Sequence, residues 1–205
     1  MMSGESTETR SPSRKSGPLS RASQFFYARS NLVTALLVTA VFAGYLVFFL
    51  MRQGAAFEVA NSSVRSLGTS LGFGQEEILA FLGERSDQMI SAYVNFNQVW
   101  DSLFGLIYGV MYVVWVSLLF KPYSQRVGIL NLLPFGQVVF DWLENFALAT
   151  LSNQYLADGT ISSSTALFAS TASTIKWVFS LLVYGVILVG IVLRIGGALK
   201  RRSQR

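Results

Sequence analysis

Four long runs of apolar residues, separated by more polar segments, dominate the pattern of this chain. They cover approximately residues 31–51, 102–120, 128–151 and 177–198. A helix crosses a bilayer core of about 30 Å with about 20 residues, and each run is close to that length. The pattern therefore predicts an all-α integral membrane protein built as a four-helix bundle.

The segment between the first two runs, about 55–99, has a different periodicity. Two short apolar pieces, 75–83 and 89–96, follow a first piece whose apolar residues recur at helical spacing. The apolar residues of that first piece are Phe57, Ala60, Val64, Leu67 and Leu71. This alternation predicts two or three short amphipathic helices, which lie on the outer membrane face or cap the bundle.

The chain divides into a tail, a membrane domain and a short basic end. Residues 1–24 are rich in Ser, Arg, Pro and Gly, a composition typical of disorder. The membrane domain is predicted at 25–199, and 200–205 form a basic C-terminus. Ser16 and Ser23 lie just after basic residues and are candidates for phosphorylation, although an inert tail is the plainer interpretation. Asn61 begins an Asn-Ser-Ser glycosylation pattern, a short match that often arises by chance.

The distribution of charge predicts the orientation. Only 13% of the residues are charged, with a formal net charge of +5. Twelve of the 16 basic residues lie in the tail, in the turn between the second and third runs, or at the C-terminus. By the positive-inside rule both termini are predicted to be cytoplasmic, in a membrane that the sequence does not identify. The basic excess then indicates contact with anionic lipid rather than with nucleic acid.

The composition also limits the chemistry. The chain has no cysteine and no histidine, which excludes thiol chemistry and removes the commonest zinc ligands. No metal or cofactor is therefore predicted. Any acid–base chemistry would have to use carboxylates, tyrosines or lysines, because the usual base near neutral pH is missing.

A polar stripe runs along the third predicted helix. At 100° per residue, five of its residues fall within an arc of about 100°. They are Pro134, Gln137, Asp141, Glu144 and Asn145. A charge at the bilayer centre costs at least ~2.5–3.5 kcal/mol, so the stripe must face other helices or a wet cavity. Pro134 is predicted to bend the helix.

Residues on the other helices reach the same depth as this stripe. One face of the second helix carries Asp101, Tyr108 and Tyr112, and the helical rise brings the two tyrosines to the level of the acids. The remaining candidates are Tyr45 on the first helix, and Tyr184 and Lys176 on the fourth, where Lys176 can reach down toward the acids. Together they predict one buried acidic and tyrosine-rich cluster, open if anywhere toward the outside.

Two glycines on the second helix indicate close packing. Gly105 and Gly109 form a G-x-x-x-G pattern, which lets helix backbones approach each other. The contact lies either within the bundle or between two copies of the chain, so a homodimer stays open.

The stretches D-S-L-F-G-L-I-Y (101–108) and P-F-G-Q-V-V-F-D-W-L-E-N (134–145) resemble a family of small uncharacterised four-helix integral membrane proteins. That family carries D-x-x-F-x-x-x-Y on helix two and P-x6-D-x-x-E-N on helix three. The resemblance implies a four-helix layout and marks positions on two helices, but it implies no reaction. The marked positions are Asp101, Tyr108, Pro134, Asp141, Glu144 and Asn145. The chain departs from the family at Gly105, where a proline is expected.

Three functions fit these residues. The first is a pocket that binds a lipid, a small molecule or a cation, for which paired acids and tyrosines are suited. The second is a structural or assembly subunit, in which the acids only lock helix packing. The third is a membrane enzyme that uses Asp141 and Glu144 as acid and base. The enzyme is the least favoured, because neither a nucleophile nor a phosphate-binding loop accompanies the two carboxylates.

Overall fold

The computed structural model describes residues 17–60, 62–64 and 66–204, and within these residues it contains helices and irregular segments but no strand. Six helices of nine residues or more follow one another in this part of the chain. They are α1 (Pro18–Arg29), α2 (Leu32–Phe57), α3 (Gln75–Gly83), α4 (Asp87–Val127), α5 (Leu133–Asp158) and α6 (Ser163–Ser203). The all-α prediction is confirmed for the described residues.

Three of these helices, α2, α4 and α6, are long and apolar enough to cross a membrane. Only 6% of the most apolar stretch of α2 and 17% of that of α6 is buried, against 56% of that of α4. α4 is therefore the central helix, while α2 and α6 expose apolar side chains, as lipid-facing helices do. α5 has 26 residues, but its polar stripe keeps it outside this group, and its crossing stays a prediction.

The helices pack around α4, and α5 and α6 form the most extensive pair. At one end, called the loop end, the described residues between 57 and 95 pack on the adjoining parts of α5 and α6. The buried apolar residues there include Phe81, Leu82, Ile90, Leu148, Leu151, Ala166 and Ala169. At the opposite end, called the termini end, Tyr27 of α1 packs on Val116, Leu119 and Phe120 of α4.

Two helices begin earlier than the sequence pattern predicts. α4 joins the predicted outer piece 89–96 to the predicted span 102–120 through a π-helical turn at Phe96–Asp101. α6 begins at Ser163 rather than near 177, so most of the Ser/Thr-rich stretch before the fourth predicted span, about 152–176, is helical. Small side chains explain this, because Ala166, Ala169 and Ala172 are buried along one side of α6 and allow a close approach.

The first predicted amphipathic helix, over 57–71, does not form. Within the described residues of that stretch, regular structure is limited to the end of α2 and a 3-10 turn at Leu67–Thr69. The hydroxyl of Ser62 accepts a hydrogen bond from the Val64 N–H and donates one to Glu84, and such local bonds compete with a helix. Phe57 and Leu67 enter the core at the loop end all the same. Asn61, the glycosylation candidate, lies outside the described residues.

The prediction that residues 1–24 are disordered is wrong for residues 18–24, which belong to α1. Pro18 starts this helix, a position where the missing N–H costs nothing. Ser23, a phosphorylation candidate, is buried, and its hydroxyl donates to Asn131 Oδ1 at 2.6 Å. Asn131 in turn donates to Ser117 Oγ at 2.9 Å, which ties α1 to α4. Ser16, the other candidate, lies outside the described residues.

The third predicted helix begins later than expected. Gly128 has a positive φ of 56°, which favours glycine and stops the helical path, and α5 starts at Leu133. Pro134 lies in the first turn of α5, where proline needs no partner for its nitrogen. The prediction that Pro134 bends the helix is therefore wrong: it marks the start of α5.

Gly109→Ala is expected to lower the free energy of unfolding by about 1–3 kcal/mol, the usual cost of overpacking. A Cβ at Gly109 would overlap Val138 Cγ2, where α4 meets α5. Thermal unfolding in mild detergent measures the change. Gly185→Ala on α6 is the control, because a Cβ there meets no atom within 4 Å. Equal stability of the two variants would contradict the close α4–α5 contact.

Candidate functional site

An ion pair between α5 and α6 lies at the centre of the site. Lys176 Nζ is 3.3 Å from Asp141 Oδ1 and also contacts Glu144 Oε2. It donates to the carbonyl oxygen of Gly68 at 3.0 Å. Its charge is thus compensated by two carboxylates, and its ammonium group is also hydrogen-bonded to the backbone. All three charged side chains are buried, Glu144 completely.

The rotation of α5 brings its polar stripe inward. Pro134, Gln137, Asp141, Glu144 and Asn145 are all buried, whereas the apolar Val139, Trp142, Leu143 and Phe146 are exposed. The exposed and buried residues thus separate along a 3.6-residue period. α5 therefore presents carboxylates to its neighbours and apolar side chains to its surroundings.

Residues 66–75, called the strap, cover the ion pair at the loop end. Ser173 Oγ donates to the carbonyl of Ser70, and Thr174 Oγ1 donates to the carbonyl of Leu71, each at 2.8 Å. The Phe73 N–H donates to Ser170 Oγ at 3.0 Å. The Ser/Thr-rich part of α6 thus holds the strap, which places the Gly68 carbonyl on the lysine.

Beside the ion pair lies a cavity of about 840 Å³. Seven of the predicted site residues line it: Asp101, Tyr108, Tyr112, Gln137, Asp141, Lys176 and Tyr184. Glu144 and Asn145 are buried beside this lining and do not contribute to it. Tyr45 does not contribute either, and its hydroxyl donates to the carbonyl of Trp100 at 2.9 Å.

Several buried polar atoms of this lining are unpartnered. The Tyr108 hydroxyl, Gln137 Oε1 and Asp141 Oδ2 make no hydrogen bond within the described residues. These three side chains are at most 6% exposed. An unsatisfied buried polar group costs about 1–3 kcal/mol, so a molecule that bonds to these atoms would gain free energy here.

Two π-helical turns border the cavity. One spans Leu46–Leu50 of α2 and the other Phe96–Asp101 of α4, and the rings of Phe49 and Trp100 stack between them at 6.4 Å. Each turn contributes residues to the lining. Such turns are rare and frequently occur at functional sites, because they re-aim side chains within a helix.

Sequence reasoning missed many of the other lining residues, among them Asn97 and Arg85. Asn97 precedes Asp101 by four residues, so recognition of α4 as one continuous helix would have found it. Arg85 lies between α3 and α4, where its Nε donates to the carbonyl of Phe57 at 2.9 Å. The position of Arg85 depends on the path of the irregular segment between α3 and α4, and the spacing of apolar residues in the sequence does not predict that path.

In the described part of the chain, no three acidic side chains are grouped so that they could hold a metal ion. No protein-family model, curated protein or solved structure matches this chain. The family resemblance seen in the motifs of α4 and α5 therefore stays a prediction.

Lys176→Met is expected to lower the free energy of unfolding by about 3–5 kcal/mol, because it leaves two buried carboxylates without their cation. Adding Asp141→Asn and Glu144→Gln to that variant should recover most of the loss, since no buried charge of the pair then remains. Thermal unfolding in mild detergent measures both. Lys200→Met, an exposed lysine in the last turn of α6, is the control. A similar small effect at Lys176 and Lys200 would contradict the buried ion pair.

Proposed function

We propose that the chain is a multi-pass membrane protein that binds a small hydrophobic or amphipathic molecule in the cavity beside Lys176. α2, α4, α5 and α6 are the four membrane helices, and both termini are cytoplasmic. The observation that carries the proposal is the set of buried, unpartnered polar atoms at Tyr108, Gln137 and Asp141. The three residues line a cavity whose volume is typical of ligand sites, which measure about 300–1,000 Å³.

The exposed face of α5 supports its role as the fourth membrane helix. Its 26 residues extend about 39 Å at 1.5 Å per residue, which is enough to cross the hydrocarbon core. The carboxylates turn toward α4 and α6, and the exposed side chains include Val139, Leu143 and Phe146. Lipid would therefore meet only apolar groups along the middle of α5, as a membrane helix requires.

Rigidity of the surroundings supports binding. The ion pair, the strap and the glycine contacts of α4 hold the polar groups of the cavity in place, and a preorganised site loses less entropy when a ligand binds. The positions marked by the family resemblance include Asp101, Tyr108 and Asp141, all of which line the cavity. This placement agrees with a shared binding site, although the resemblance itself stays a proposal.

A structural role is the second candidate function. The observation that favours it is the contact of Lys176 with both Asp141 and Glu144, because an ion pair of this kind can hold α5 on α6 without any ligand. In that case the outer residues 57–95 would meet partner subunits, and the cavity would only separate α2 from α6.

Native mass spectrometry from mild detergent separates the two candidates. The wild type is expected to carry an adduct that Asp141→Asn and Tyr108→Phe lose, because the first variant removes the carboxylate charge and the second removes the unpartnered hydroxyl. Tyr108→Phe breaks no hydrogen bond within the described residues, so its fold should be retained. Asp158→Asn, an exposed acid at the end of α5, is the matched control and should keep the adduct.

A wild type free of adduct, with Asp141→Asn merely less stable, would favour the structural role. An adduct that survives in all variants would place its binding elsewhere on the protein. Either result would contradict the proposed pocket.

The proposed orientation can be tested with single cysteines, since the chain has none of its own. On intact cells, a membrane-impermeant maleimide should label Ser164→Cys at the exposed start of α6. It should label Ser203→Cys at the other end of α6 only after permeabilisation, as the basic C-terminus predicts. The reverse pattern would overturn the orientation, and labelling of both from one side would show that α6 does not cross.

A further inference from the structure

The charges around the cavity are unbalanced. Five charged side chains line it: Glu58, Arg85, Asp101, Asp141 and Lys176. Glu144 contacts Lys176 from behind the lining. Four carboxylates therefore accompany two cations, a formal excess of two negative charges. Glu58 is exposed and Arg85 partly buried at the loop end, so the excess falls on the inner part of the cavity.

The lysine cannot satisfy all inner carboxylate oxygens. Its Nζ donates to the Gly68 carbonyl and contacts one oxygen of each acid, Asp141 Oδ1 and Glu144 Oε2. Asp141 Oδ2 makes no hydrogen bond within the described residues, and Asp101 has no cation within ion-pair distance there. A Cβ built on Gly105 would lie 2.7 Å from Asp141 Oδ2, which places this oxygen one helical turn from Asp101 on α4.

The rest of the wall suits an organic molecule. Aromatic and aliphatic side chains surround the acids, among them Phe42, Phe104, Tyr93 and Trp177. A bare hard cation such as Ca²⁺ needs about six to eight oxygen ligands, and the described residues offer no such group. Aromatic walls beside an acid instead match a cationic head group with a hydrocarbon body.

The cavity also has a side that faces the membrane. Leu46, Leu50 and Met51 of α2 line it together with Trp177 and Tyr184 of α6. α2 packs chiefly on α4, while α6 packs on α5 and α4, so the two lining helices are not closely packed on each other. Met51 and Tyr184 are 63% and 44% exposed. The opening between α2 and α6 is therefore bordered by apolar and aromatic groups at the lipid-facing surface.

We infer that the ligand is an amphipathic amine, a molecule with one protonated amine and one hydrocarbon chain. Its ammonium group lies between Asp101 and Asp141 and donates an N–H to the Tyr108 oxygen. Its chain leaves the cavity between α2 and α6 into the bilayer. The inference rests on the proposed function, that the cavity binds a ligand, and adds the chemical class of that ligand.

Three probes of equal chain length test the class: decylamine, decanol and decanoic acid, titrated onto the full chain in mild detergent and followed by native mass spectrometry. Decylamine is expected to bind once per chain, about tenfold or more tighter than the other two. Asp101→Asn should weaken decylamine about 30-fold or more, because it removes the carboxylate partner of a buried cation. The Asp101→Asn variant keeps the contacts of Lys176 with Asp141 and Glu144. Asp158→Asn, which removes an exposed acid, is the matched control.

A second variant, Leu46→Trp, fills the cavity from α2 and should reduce the binding of every probe. Circular dichroism and size-exclusion chromatography check that each variant is folded.

If the three probes bind equally and Leu46→Trp removes them all, the amine inference is wrong while the cavity remains a binding site. If no probe binds, the amine inference is wrong, and the adduct experiment judges the pocket independently. If decylamine binds equally well to Leu46→Trp, it binds elsewhere, which overturns the inference and counts against the pocket.

Discussion

The contact of Lys176 with Asp141 and Glu144 is the constraint on which the rest of the structure depends. Buried charges are tolerated only when they are paired, so α5 can rotate in only one way, with its acids toward α6. The strap of residues 66–75 lies over Lys176 and supplies the Gly68 carbonyl to its ammonium group. One interaction thus joins two long helices and an irregular segment.

The cavity follows from the same constraint. Close approach of α4 to α5 requires Gly105 and Gly109, where a Cβ would meet Asp141 and Val138. α2 takes no part in this close packing and lies chiefly against α4, which leaves space between α2 and α6. The stacked pair of π-helical turns then aims side chains into that space instead of closing it. Three helices that pack on one another, with a fourth that packs chiefly on α4, leave a pocket that opens between α2 and α6.

The sequence predicted most of the inner site, because helical period and rise alone determine which residues share a face and a depth. The buried stripe of α5 and the reach of Lys176 to the acids were both predicted in this way. The parts it could not predict depend on tertiary contacts. The early start of α6 depends on bonds such as Ser173 to the strap, and α1 depends on Ser23 meeting Asn131 far along the chain. The helical spacing of 57–71 was misleading, since Phe57 and Leu67 enter the core without a continuous helix and Leu71 is exposed.

The two candidate roles of the acids are separable within the site. Glu144 is fully buried outside the cavity lining and contacts Lys176, which is what a purely structural ion pair requires. Asp101 and the free oxygen of Asp141 do not serve that pair, and neither does the Tyr108 hydroxyl. If helix packing were their whole purpose, each unpartnered group would cost about 1–3 kcal/mol and give nothing in return. Apolar residues of similar size would hold the helices together more stably, as replacements of buried ion pairs show in other proteins. The placement of these groups therefore favours a ligand as their missing partner, with Glu144 and Lys176 as the frame that holds them.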